Sequence, residues 1–296
     1  MTWVMMGLII GSFLGVMLVM DLIDRHLTRD ERYNGERLTP KVAIFFMVVI
    51  LVYLGIQRAL FPIEPIEWLF TGLRDSVSAF TGVGTVAEKL SIQWLAVLSV
   101  VGLYIAGFYD YLFHRFVSHS KAFWFTHEYH HIPNQVFLGA PGIFARPFAI
   151  VIIFPNIFLT ILTIYMILAL SGMPLYDLSD LKTIFLLQGV VAIMSHSSCL
   201  RRWNSVHNVM RVVGLTTPHE HVLHHTTDLD GNFSNFTTLW DRVFGTYLDP
   251  MKNENKGRKL GLSYDRDFLQ TVTVGLLRIP DSARKKFKIE RYCNID

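Results

Sequence analysis

The sequence predicts an all-α integral membrane protein, with four to five transmembrane helices carrying a histidine-rich helical cap on the cytoplasmic side. Three observations predict it: long uncharged apolar runs, basic residues gathered in alternate connections, and eleven of twelve histidines placed after residue 110. Composition agrees. The 296 residues are 51% hydrophobic and 17% charged, whereas a soluble domain is nearer about a quarter charged. Mean hydropathy is +0.36.

A spanning helix needs about 20 apolar residues, with about 17 as the usual lower limit. Trp3 to Met20 carries no charge, and Ile92 to Tyr109 is uncharged up to Asp110. Phe148 to Met173 is the longest run, interrupted only by Pro155. These three qualify directly. Val42 to Ile56 qualifies if its flanks contribute. Leu181 to Met194, with Lys182 at its start and Gln188 inside, is short enough to be a buried or half-inserted helix. Residues 61–90 mix Phe61, Pro62, Pro65, Trp68 and Leu69, which suits an interfacial or re-entrant piece.

Charge sets the orientation. The first span lacks the basic start and small-residue cleavage site of a signal peptide. Arg25, Arg29, Arg32, Arg37 and Lys41 follow it, so that loop should be cytoplasmic and the N-terminus outside. Residues 61–90 then fall outside with only Arg74 and Lys89, and Pro174–Asp180 falls outside with neither Lys nor Arg. Everything after Ser195 falls inside, from Arg201 and Arg202 to Arg284, Lys285, Lys286, Lys288 and Arg291. Cys199 and Cys293 lie on that reducing side and show no metal-type spacing. The net charge of +3 is small, so the basic tail reads as contact with an anionic membrane surface, not with nucleic acid.

The histidines carry the chemistry. His127, His130 and His131 stand at i, i+3 and i+4, as do His221, His224 and His225, so each triplet is expected to aim three imidazoles at one point. His114 and His119 are five apart, which an ideal helix does not align; they need a helix end or a π-bulge. Neutral imidazole suits iron, zinc, copper and nickel. One such triplet alone leaves a solvated helix face as the lesser alternative; two, with a nearby pair, all but remove it. His196 reads as a ligand at the mouth of its span, against a simple polar cap. His207 reads as a surface histidine, His26 as solvated, and His219 as a neighbour of the site at most. Nine imidazoles exceed the roughly four that one ion takes, which implies two metals, and a closed structural zinc site would commonly include Cys. Such a site beside apolar helices points to O2 activation against a lipid, since side chains alone do not oxidise an unactivated C–H bond.

The boxes HRFVSH (114–119), HEYHH (127–131) and HVLHH (221–225) resemble the fatty acid hydroxylase, or sterol desaturase, superfamily. Gly231–Tyr247, reading GNFSNFTTLWDRVFGTY, is similar to the stretch that follows the family's third box, with Phe233 in place of a tyrosine and Val243 in place of a leucine. MSHSSC around His196 is similar to its extra histidine element, although Leu200 stands where some members have a further histidine. Only seven residues separate His119 from His127, unlike the wider gap of acyl desaturases.

The resemblance implies a dinuclear iron enzyme that uses O2, with a lipid substrate arriving from the bilayer. Electrons would come ultimately from NAD(P)H through a cytochrome b5-like or ferredoxin-like partner, because no such sequence is present here. It implies metal-ligand roles for His114, His119, His127, His130, His131, His196, His221, His224 and His225. It divides the chain into N-terminal spans (1–106), a catalytic domain (107–250) and a basic tail (251–296). Asn232 and Asp241 are carried over as supporting residues. Asp110, one turn before His114, is positioned to accept the ring's free N–H. Trp240 and Phe244 read as packing, and Trp124 and Tyr129 as interfacial anchors. The nearest rival is a desaturase or demethylating oxidase with the same metals. A metal transporter would carry ionisable groups along its spans, and these carry almost none. A non-catalytic metal-binding scaffold is the third reading.

Overall fold

Apolar runs without charges leave the backbone to satisfy its own hydrogen bonds, which at membrane depth favours helix. The computed structural model describes residues 3–28, 64–140, 143, 150–178 and 181–287, with single positions at 48, 52, 55 and 59. Helix α1 runs Trp3–Thr28, α2 Glu64–Thr81, α3 Ile92–Leu112, α4 Glu128–His131 and α5 Ile150–Leu170. Helix α6 is Lys182–Ser195, α7 Ser198–Arg201, α8 Asn204–Val212 and α9 Pro218–His224. Three short helices follow: α10 Leu239–Val243, α11 Phe268–Val272 and α12 Asp281–Phe287.

Among the described residues, three helical stretches are long and apolar enough to cross a membrane: Met5–Asp24, Ile92–Ser118 and Val151–Leu170. They correspond to the first, third and fourth expected spans. Val42–Ile56 lies outside the described residues. The fifth, α6, has 14 residues, about 21 Å at 1.5 Å per residue, which is short of the ~30 Å hydrocarbon core. It packs against α1 and α3. Leu8, Val16, Val100 and Ile153 are exposed on the spans, as side chains facing lipid would be.

Close packing explains the bundle. Gly102 of α3 stands against Ile184 of α6 and Ile164 of α5, where a Cβ would have no room. Small residues let helices approach in this way. Asn156 donates to the Ala106 carbonyl across α5 and α3 at 3.2 Å and accepts from Thr160 at 3.2 Å. Pro155 lies inside α5, past its first turn, where it removes one hydrogen bond of the helix.

The purely helical expectation needs correction. Thr85–Lys89 (β1) and Leu175–Asp177 (β2) pair as a two-stranded parallel sheet. These strands lie in the two connections assigned to the outer side, residues 61–90, where β1 follows α2, and residues 174–180. Helix α2 buries Phe70, Leu73 and Val77 and leaves Trp68 and Phe80 exposed, the one-faced pattern of a helix lying on others. The short helices from α7 onward gather around the ends of α3 and α6.

Candidate metal centre

The site begins where α3 changes its winding. Phe113–Ser118 continue α3 as a π-helix, and the His119 N–H reaches the His114 carbonyl at 3.1 Å. That i to i+5 bond places the two imidazoles on one face, with ring centroids 5.1 Å apart. The bulge expected from the five-residue spacing is present.

Nine histidines converge in two groups. His114, His119, His127, His131 and His224 form the first, and His130, His196, His221 and His225 the second. Within each group the candidate ligand atoms lie within 4.8 Å of one another. The expectation that each triplet aims at one point is therefore overturned. Each gives its i, i+4 pair to one group and its middle histidine to the other. The reason is helical geometry: adjacent residues diverge by about 100°, whereas i and i+4 differ by only about 40°.

The donor set fits metal ions. His127 Nε2 lies 2.8 Å from His114 Nε2 and 2.9 Å from His131 Nε2, and His131 Nε2 lies 3.1 Å from His224 Nε2. In the second group His221 Nε2 is 2.8 Å from His196 Nε2 and 3.1 Å from His225 Nε2. Adjacent nitrogens around an ion at ~2.1 Å stand about 3.0–3.4 Å apart, so these separations approach the edges of a coordination shell. His119 Nε2 is buried with no hydrogen-bond partner among the described residues, as an atom awaiting an ion would be.

Four of the outer ring nitrogens are tied to backbone. His114 Nδ1 meets the Phe233 carbonyl. His130 Nδ1 meets Ile143 at 3.1 Å, His196 Nδ1 meets Ala192 at 2.6 Å and His224 Nδ1 meets Gly231 at 3.3 Å. An Nδ1–H given to a carbonyl leaves the Nε2 lone pair facing inward. Burial, and then neighbouring histidines, hold His119, His127, His131 and His221 well below the usual imidazole value. Neutral rings are what a metal requires.

A polar layer holds the rings. Asp110 accepts the Asn235 N–H at 2.9 Å and its Nδ2 at 3.1 Å, and that amide sits 3.2 Å from His114 Nδ1. The expected Asp110 link to His114 thus runs through Asn235, while the ring N–H meets Phe233. Asp241 accepts from the backbone of Phe233 (2.7 Å) and Ser234 (2.9 Å) and from the Thr246 hydroxyl (2.8 Å). Burial pushes its carboxyl up to about 6 against those hydrogen bonds. Asn232, at φ 52°, joins the Glu220 carbonyl (2.9 Å) to the Leu248 backbone (2.9 Å) and so ties the loop to α9. Thr217 and Glu220 form a capping box on α9, which fixes the start of the third histidine box.

Several residues stand where the sequence did not place them. His207 is buried, not on the surface: its Nδ1 is 2.8 Å from Thr217 Oγ1 and its ring packs on His219 at 4.9 Å. The single-sequence spacing missed it because its partner lies on another helix. Tyr129 is buried too, so it is not an interfacial anchor, and the half-buried Trp124 lies over His119 and His131 at 5.2 and 5.5 Å. Trp240 and Phe244 do pack, against Phe108. The basic tail contributes structure: Trp124 donates to Tyr264 (2.6 Å), Tyr264 to Glu128 (2.6 Å), and Arg266 to Glu128 (3.0 Å).

Asp21 also went unnoticed as a site-supporting residue. Buried at the end of α1, it accepts from Leu138 N (3.0 Å), Ser197 Oγ (2.6 Å), Ser198 N (3.0 Å) and Cys199 N (3.0 Å). It thereby locks the turn that carries His196. Its signal was a carboxylate inside the Met5–Asp24 apolar stretch, a position where an ionisable group needs a reason.

A cavity of about 320 Å³ opens onto His114, His127 and His196, with walls from Ile152, Ile153 and Ile157 of α5 and Phe185 and Ala192 of α6. The fold and the site define a helical, membrane-type protein with paired all-imidazole donor groups beneath a mostly apolar cavity. The profile of the family described as fatty acid hydroxylase matches residues 99–246, half of the chain, and the chain belongs to that family. Neither a curated protein nor a solved structure matches it.

Proposed function

We propose that this chain is a membrane-bound non-haem diiron monooxygenase that hydroxylates a lipid C–H bond. The observation that carries the proposal is the cavity: its apolar walls end on histidines of both donor groups. A hydrocarbon entering between α5 and α6 would meet both metal positions. Two iron ions held there would supply O2 activation, chemistry that side chains lack.

The protein's own part is to bind and orient. The nine imidazoles offer Nε2 or Nδ1 lone pairs, and the carbonyls of Phe233, Ile143, Ala192 and Gly231 fix the rings that they meet. Asp110 and Asn235 steady His114 at the cavity edge. Ile152, Ile157 and Phe185 keep water from the reacting carbon. Insertion of one oxygen atom consumes O2, two electrons and two protons and releases water. The electrons come from NAD(P)H through a cytochrome b5-like or ferredoxin-like donor docking on the cap. On the positive-inside reading, the histidines and C-terminus face the cytoplasm and the N-terminus lies outside.

Lipid extracts from cells with and without the protein, compared by mass spectrometry, test the proposal. A lipid gaining one oxygen atom is expected, and a His130→Ala, His224→Ala variant should erase it. Loss of two hydrogens instead identifies the desaturase reading. No difference between the extracts sinks both.

A further inference from the structure

Phe185, Gln188, Ala192 and His196 recur at three- and four-residue steps along α6 and its C-terminus, so they share one helix face. All four line the cavity, while Ile184 and Val191 are buried in the bundle. Three of the four suit their place: two apolar walls and an imidazole. Gln188 does not. It sits mid-helix, half-buried, and its amide has no hydrogen-bond partner among the described residues.

The two other amides lining this cavity show the contrast: Asn235 is held by Asp110. Asn156 spends its groups on Ala106 and Thr160, joining α5 to α3. Gln188 is half-buried on the cavity-lining face, so its amide is open to a polar group of whatever fills the cavity. Gln188 precedes His196 by eight residues, which is about 12 Å along the helix.

We propose that Gln188 is a specificity-determining residue that hydrogen-bonds an oxygen-bearing group of the lipid, a hydroxyl, amide or ester. This inference rests on the lipid-oxidation reading of the same cavity. The substrate is then a lipid with a polar group a short alkyl segment from the oxidised carbon, and Gln188 sets which carbon reaches the histidines. A site built to hydrogen-bond a substrate group discriminates strongly against an analogue lacking it.

Equilibrium binding of hexadecan-1-ol and hexadecane to the purified full-length protein tests this. Wild type should prefer the alcohol, and Gln188→Met, which keeps the side chain's length, should lower that preference about tenfold. Partition into the detergent cancels when variant and wild type are compared. Unchanged hexadecane binding shows that the variant's cavity is intact. Should Gln188→Met fail to fold, Gln188→Asn, which retains the amide on a shorter stem, is expected to show an intermediate preference. A wild type that binds both equally, or a Met variant with unaltered preference, overturns the role of Gln188 and leaves the lipid cavity standing. A wild type that binds neither removes the lipid reading and this inference together.

Discussion

His130 and His131 are consecutive, yet their rings stand at 90° to each other with centroids 5.5 Å apart, and each serves a different donor group. The backbone between them separates the two donor groups. Removing one ring should therefore weaken one group and spare the other. On the proposed two-iron reading, His119→Ala, which leaves four imidazoles in its group, and His196→Ala, which leaves three, are each expected to loosen one of two ions, the second more than the first. Metal analysis of the purified variants checks this; loss of both ions from either single change would show that the groups do not load independently.

Asp21 accepts four hydrogen bonds while fully buried. Asp21→Asn puts an NH2 where backbone N–H groups point and removes the charge that strengthens them. A loss of about 3 kcal/mol is expected, together with weaker metal retention in the group containing His196. Thermal unfolding followed alongside metal content measures both, and an unchanged melting point would refute the anchoring role.

Asn235 carries the connection from Asp110 to His114. Asn235→Leu should weaken the His114 group's hold on metal by about 10–100-fold, the usual effect of removing an outer-layer partner. Competition against a chelator provides the measurement. Equal weakening in both groups would mean a general loss of fold instead.

Acid should destabilise the metal-free protein. His119, His127, His131 and His221 are held neutral in the folded chain by burial first and by neighbouring histidines second. The unfolded chain takes up protons near ~6.5. Below about pH 6.5 the unfolded state binds more protons, so stability falls as pH drops, by up to about 1.4 kcal/mol per pH unit for each such histidine. Above that value these groups contribute no pH dependence. Melting temperatures taken between about pH 8 and pH 5 test the sign.

Much of this was legible in the sequence because it is local. Uncharged runs at Trp3–Met20, Ile92–Tyr109 and Phe148–Met173 needed no partner to declare helices. The five-residue gap between His114 and His119 called for a helix end or a π-bulge, and Phe113–Ser118 form a π-helix. Eight of the nine converging histidines were visible in closely spaced boxes, and His196 by its place at the end of a span and its MSHSSC setting. What failed was assignment across space. The spacing of HEYHH and HVLHH shows which rings share a face, but not that His224 crosses to His131 at 3.1 Å.

The sequence by itself determined that the chain is membrane-like, helical and rich in imidazole donors, because hydropathy and short-range periodicity are properties of neighbours along the backbone. Tertiary structure alone decided how nine donors divide into two groups. It also made His207 a core residue, set Asn235 between Asp110 and His114, and joined Asp21 to Ser197 over 176 positions of sequence. Those choices depend on which helices touch. Contacts at such separations are selected by the packing of whole elements, and no local pattern encodes them.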